Sequence, residues 1–191
     1  MKKLVFLVLI CTILSSVYSQ DKGLSTKELL DKFAKLKPFS EKIKDKKVKS
    51  KATYIEPEAL KHYIDILPKE DLNKIFKSFV RGVQIINPYN VLAITQWKDS
   101  VSAQEFKKLE VKFLKLRDKQ KKIIKTVEYK KEGNLLISYK KVLYNDKLYI
   151  LNIFVALNKN FVLEGSFVGK KQRTIEEIKE IVKKAWDAIL K

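Results

Sequence analysis

Cysteine is nearly absent from this chain, and the one present, Cys11, stands inside the first apolar stretch. If that stretch is removed, the mature protein has neither a disulfide nor a thiolate to act as nucleophile or metal ligand. Histidine is equally scarce. His62 is the only one, so no zinc site built on several imidazoles can form within one chain. A Ser–His–Asp triad would have to use His62, and no serine stands in a nucleophile-elbow context. The five glycines (Gly23, Gly82, Gly133, Gly165, Gly169) are scattered, which excludes a glycine-rich phosphate loop. Calcium-loop and His-Glu-x-x-His spacings are also missing. The sequence therefore assigns no catalytic residue, no metal ligand and no cofactor site. Carboxylate-only hydrolysis stays open, because its residues need not be close in sequence.

Arginine is the fourth shortage. Only Arg81, Arg117 and Arg173 occur, in a chain whose formal net charge is +19. The excess is thus lysine. Arginine's planar fork reads guanine and phosphate, whereas lysine acts as a point charge. This argues against sequence-specific nucleic-acid binding. It leaves two readings of the charge: solubility, or general attraction to polyanions and anionic surfaces.

What is present begins with a three-part leader. Lys2 and Lys3 precede the apolar run Leu4 to Leu14, and Ser15 to Ser19 form a more polar end. This is the order of a secretory signal, with cleavage expected after Ser19. The run is short for a membrane span, which needs about 20 residues. An uncleaved anchor is the alternative. A lipoprotein is disfavoured by bulky Ile10 before Cys11. The expected location is periplasmic or secreted. Residues 20–52 then form an N-terminal helix and a lysine-rich linker, and residues 53–191 a single domain. Within it, 56–81 is a helical leader and 82–191 the sheet-containing core.

Ser25-Thr26-Lys27-Glu28 has capping-box spacing and launches a helix over about 26–36. Residues 40–52 are nearly all charge and read as an exposed linker. Leu60, Tyr63, Ile64 and Leu67 share one helical face, with His62 on the other side. Leu72, Ile75, Phe76 and Phe79 predict a second helix, after Pro68 and ending near Gly82. From there the period becomes two. Strands are predicted at Val83–Ile86 and Val91–Trp97. A second capping box, Ser102-Ala103-Gln104-Glu105, opens a helix to about Asp118 with an apolar stripe at Phe106, Leu109, Phe113 and Leu116. Four strands joined by short polar turns follow, from Lys122 to Val168. The segment Leu148 to Leu157 is apolar on both alternating sets and should occupy the sheet interior. Lys125, Lys130, Lys131, Lys140 and Lys141 on neighbouring strands are expected to face solvent. Thr174 to Glu177 caps a closing helix with a broad apolar stripe. The fold class is α+β: an antiparallel sheet of about six strands in the order ββ-α-ββββ-α, helices on its faces, behind a helical leader.

Gly82 to Tyr89, Ser102 to Leu116, the strand meander, and Phe167-Val168 leading into Thr174 to Leu190 together resemble the Mog1/PsbP-like fold, over residues 82–191. That resemblance implies a curved antiparallel sheet with a terminal helix across it. It also implies an accessory or binding role, and it brings no catalytic motif.

Three functions follow as expectations. The first is an exported, non-catalytic accessory or binding domain, its ligand unassigned and an envelope protein one candidate partner. The second is a binder of polyanions or anionic membrane surfaces. It would act through Lys42, Lys44, Lys46, Lys47, Lys49 and Lys51 of the linker, and Lys107, Lys108, Lys112, Lys115 and Lys119 of the helix after the first hairpin. The third is a small-ligand carrier or enzyme with a pocket lined by Glu164, Tyr139 and Tyr149. Tyr89, Trp97, Tyr129 and Tyr144 complete the aromatics near the sheet and read more readily as core than as a base-stacking platform. The leader gives the first prediction. Mass spectrometry of the exported protein should find Gln20 at the N-terminus, and a working form that retains Met1 would overturn the assignment.

Overall fold

The computed structural model describes residues 25–36, 50–56, 69–87, 90–117, 123–144 and 147–190. The signal segment, most of the lysine-rich linker, His62 with its helix, and the turns at 88–89 and 145–146 lie outside the described residues. Four helices and seven strands are described, in the order α1 (Thr26–Ala34), β1 (Lys51–Tyr54), α2 (Lys69–Ser78), β2 (Phe79–Asn87), β3 (Asn90–Trp97), α3 (Ser100–Arg117), β4 (Ile123–Glu132), β5 (Leu135–Tyr144), β6 (Lys147–Asn158), β7 (Phe161–Gly169) and α4 (Ile175–Leu190). All strands belong to one antiparallel sheet of spatial order β1-β2-β3-β7-β6-β5-β4.

The expected ββ-α-ββββ-α core is present, with β1 added at one edge. This strand came from the end of the segment read as linker. Ser50 and Lys51 follow the charge run, yet Lys51 to Tyr54 pairs with Ile86 to Val83. A four-residue edge strand can tolerate polar residues because one side stays in water. The chain also turns from helix to strand earlier than expected. Helix α2 stops at Ser78 and β2 begins at Phe79, before Gly82.

Two helix starts form as read. Ser25 Oγ accepts from the Glu28 N–H at 3.1 Å, and the Glu28 carboxylate accepts from the Ser25 N–H at 2.6 Å. At α4, the Thr174 N–H donates to Glu177 at 2.7 Å, and the Glu177 N–H donates to Thr174 Oγ1 at 3.1 Å. The third start differs. Helix α3 is capped by Asp99, whose carboxylate accepts from the Ser102 N–H at 2.7 Å. An aspartate at the N-cap both satisfies a free donor and meets the positive helix end. Ser102 therefore lies inside the first turn.

The sheet has a full apolar layer on each side. On one, Val83, Ile85, Leu92, Ile94, Ile137, Phe154, Leu163 and Phe167 pack under α1 (Leu29, Phe33) and α4 (Ile178, Val182, Ala185, Ile189). On the other, Ile153, Val155, Leu157, Val162 and Trp97 pack under α3 (Ala103, Phe106, Leu114), flanked by Ile75 of α2. Strand β6 contributes to both layers, as its doubly apolar sequence requires. Trp97 is fully buried, stacked on Phe106 at 4.3 Å and edge-on to Phe79 at 5.6 Å. Its indole N–H donates to Thr95 Oγ1 at 2.9 Å, which removes the cost of an unpaired buried donor.

Gly165 explains how two large aromatics fit beside one another. A Cβ there would lie 2.1 Å from Cε1 of Phe154, so the ring occupies the space a side chain would need. Phe154 in turn sits 5.7 Å from Phe167. Gly165→Ala should destabilise the fold by about 1–3 kcal/mol through overpacking. Denaturant unfolding would measure the loss, and a second change, Phe154→Leu, should restore part of it.

Candidate functional site

Helix α3 is the element on which most of the candidate residues converge. Ala103, Phe106, Glu110 and Leu114 are buried, and of the expected line Phe106 is buried and Leu109 packs against the same cluster, while the Phe113 and Leu116 side chains lie outside the described residues. The helix begins a turn earlier, and its actual buried line includes an acid. Its outer face carries Lys108, Lys112 and Lys115, all exposed and spaced i, i+4, i+7. No ion pair engages these three among the described residues. By contrast, Lys130 pairs with Glu128 at 3.0 Å, Lys184 with Glu180 at 2.6 Å, and Lys179 with Glu132. Lys107 does not join the outer stripe. It is half-buried, its ammonium donates to the Asn134 carbonyl in the β4–β5 turn, and burial lowers its pKa. Lys119 lies outside the described residues, as do Lys42, Lys44, Lys46, Lys47 and Lys49, while Lys51 is exposed at the start of β1.

Beneath α3 the sheet is unusually polar. Lys140, expected to face solvent, is only 1% exposed. Its ammonium donates to the Leu114 carbonyl at 2.6 Å. Leu114 falls in the last turn of α3, where carbonyls lack helical partners and the dipole is negative. A lysine stem can lie along apolar surface while its charge reaches such a group. Lys140 thus fastens the helix end to β5.

Ser138, on the same side of β5, is fully buried and its hydroxyl has no hydrogen-bond partner. Glu164 lies on this side too, opposite Ala93 on β3 and Val155 on β6. The residue as a whole is half-buried, yet its Oε1 is closed off from solvent and accepts no hydrogen bond. Burial pushes its pKa up to about 8, so the carboxyl is protonated at neutral pH. Glu110 of α3 and Lys140 of β5 are the other ionisable groups buried on this side among the described residues.

Tyr139 lies on the opposite face. Its hydroxyl donates to the Arg173 carbonyl at 2.9 Å, and the Asn152 side chain accepts from the Arg173 N–H at 2.8 Å. Desolvation is the first cause that raises the Tyr139 pKa. Together these bonds pin the loop that leads into α4. Tyr149 is half-buried near the start of β6, opposite Val142. Glu164 and Tyr139 therefore face different helical layers, and no one pocket holds both. An open groove of about 660 Å³ lies between the end of α1 and α4, lined by Lys35, Leu36, Arg173, Glu180, Lys184 and Asp187 among others. None of Glu164, Tyr139 and Tyr149 lines it. No group of three or more metal-ligating side chains occurs among the described residues. No helix among them is long and apolar enough to cross a membrane.

No family model matches this sequence, so the Mog1/PsbP-like resemblance remains one of element order. No curated protein matches it either. Among solved structures, the extracellular domain of PknH from Mycobacterium tuberculosis is similar with a TM-score of 0.47 and 10% identity, over 88% of this chain and 92% of that one. A putative uncharacterised protein (Rv0999 ortholog) from Mycobacterium smegmatis is similar with a TM-score of 0.37 and 11% identity, over 88% of this chain and 98% of that one. At these values the likeness is a loose one of layout.

Glu164 makes stability depend on pH in a definite direction. Its ordinary value is 4.5 and its folded value about 8, so the native state holds a proton that the unfolded chain has released. Stability from this group is complete below pH about 4.5, declines as pH rises towards 8, and is then flat. Urea midpoints should fall between pH 5 and pH 8 in the wild type, and less steeply in Glu164→Gln, which keeps the shape without the titration. Equal slopes would show that Glu164 is ionised in the fold.

Proposed function

We propose that this chain is an exported, non-catalytic binding domain that engages an anionic surface or polymer through the outer face of α3. The observation that supports it is the state of Lys108, Lys112 and Lys115. Three ammonium groups stand in a row on a rigid helix, exposed and without carboxylate partners among the described residues. The inner face of that helix is anchored by Phe106, by Leu114 and by the Lys140 bond, so the row is held in place. Lysines so arranged attract negative charge without demanding a particular ligand geometry. The export leader supports placement in the envelope or outside the cell.

The small-ligand alternative has less to draw on. Glu164 is a buried acid, but Tyr139 faces the other layer and Lys140 is committed to the end of α3. The test uses heparin as a probe polyanion. Wild-type affinity should fall steeply as salt rises, and Lys108→Gln/Lys112→Gln/Lys115→Gln should reduce the slope of log K against log salt by about two units. A slope unchanged by the triple substitution would remove α3 from the reading. A flat wild-type response would remove the reading itself.

A further inference from the structure

The β5–β6 hairpin outruns strand β7. Strand β7 ends at Gly169, opposite Ile150 of β6. Past that row the hairpin continues through Leu143↔Leu148 and Tyr144↔Lys147, with no partner strand on the β7 side among the described residues. On the α4 side, the Tyr139–Asn152 row is fastened to the loop at Arg173, and Ile150 in the following row on that face still packs against the core layer. Leu143 and Leu148 lie past it, directly opposite each other, and are 48% and 53% exposed.

Two leucines side by side in water are unfavourable, and the fold offers them no cover among the described residues. The exposed charged residues described at this end include three lysines. Lys147 is exposed at the hairpin end, and Lys170 and Lys171 are exposed just past Gly169. Lys171 lies 3.8 Å from Glu177. Helix α3, on the opposite face, runs towards the same end of the sheet, since its last turn meets Lys140. Ile86, 39% exposed in the last rows of β2, faces solvent at this end as well.

We infer that this end of the sheet docks on an anionic lipid bilayer, with Leu143 and Leu148 entering the interface and the lysines settling among acidic headgroups. The inference rests on the anion-binding reading of α3 and names its partner. Charge selects the occupant. A soluble polyanion would neutralise the lysines but leave the leucines in water, whereas a second copy would bring two lysine-rich ends together. A bilayer satisfies both features. The β6 edge of the hairpin has no strand partner past Gly169 among the described residues, so it would lie at the headgroup boundary and not cross.

Vesicles of phosphatidylglycerol mixed with phosphatidylcholine, vesicles of phosphatidylcholine alone, and heparin separate the possibilities. Wild type should bind the acidic vesicles and not the neutral ones. Leu143→Ser/Leu148→Ser should bind acidic vesicles at least about tenfold more weakly, with unchanged heparin affinity. Both positions are exposed, so an unchanged urea midpoint should accompany the loss. A single probe, Leu143→Trp, should shift its fluorescence to the blue on acidic vesicles. Wild-type vesicle affinity in the double variant, or no blue shift, would overturn the bilayer inference and leave the α3 reading standing. So would binding to heparin alone. Failure to bind either heparin or acidic vesicles would overturn both.

Discussion

Strand β6 is apolar on both of its faces, and most of the architecture is an answer to that. A strand with Phe154 and Ala156 on one side and Ile153, Val155 and Leu157 on the other cannot leave either side in water. Fully burying one large apolar side chain contributes about 1.5–3 kcal/mol, so cover on only one side would forfeit several such contributions. Helices α1 and α4 supply one layer and α3 the other. The layers differ in character. The buried polar groups of the α1/α4 side are neutral, Asn90 and Asn152, while the α3 side includes Ser138, the ionisable Lys140 and Glu110, and the half-buried Glu164.

That difference shapes α3. A helix over a wholly apolar face needs only an apolar stripe. Here the stripe itself contains Glu110, and its last carbonyls are met by Lys140 from below. The helix is fixed at both ends by charged groups, Asp99 at the start and Lys140 near the finish. A helix held in this way can present its outer lysines as a rigid row, which loose side chains on a linker could not do. Rigidity lowers the ordering cost of binding. The structural and functional readings of α3 therefore share one cause.

Much of this was legible in the sequence where local rules and tertiary demands agree. The boxes at Ser25 and Thr174 form as written, because nothing nearby competes for those backbone groups. At Ser102 the same spacing misled. Asp99, three residues earlier, is the acceptor for the Ser102 N–H, so the helix begins earlier than that spacing implied. Alternation placed Lys140 outward by residue type alone. A neighbouring helix end supplied a partner that no strand pattern contains. Tyr139 and Glu164 sit on different strands, and only the register through β6 shows that they face opposite ways. Strand β1 was hidden because an edge strand needs little apolar sequence once β2 offers it hydrogen bonds.

The same reasoning bears on where cover stops. Helical layers have finite length, and the hairpin of β5 and β6 runs on past the end of β7. At its other end the sheet closes neatly: Asn160 exchanges hydrogen bonds with Trp97, and Lys107 holds the β4–β5 turn. The two ends are therefore unequal. One is tied off by polar side chains on backbone groups, while the other projects paired leucines among lysines. Trimming the hairpin by two residues from each strand would have removed the exposed pair without disturbing any core row. Among the described residues the extra length adds nothing to burial, and an acidic bilayer is the surface whose chemistry would cover both the leucines and the lysines.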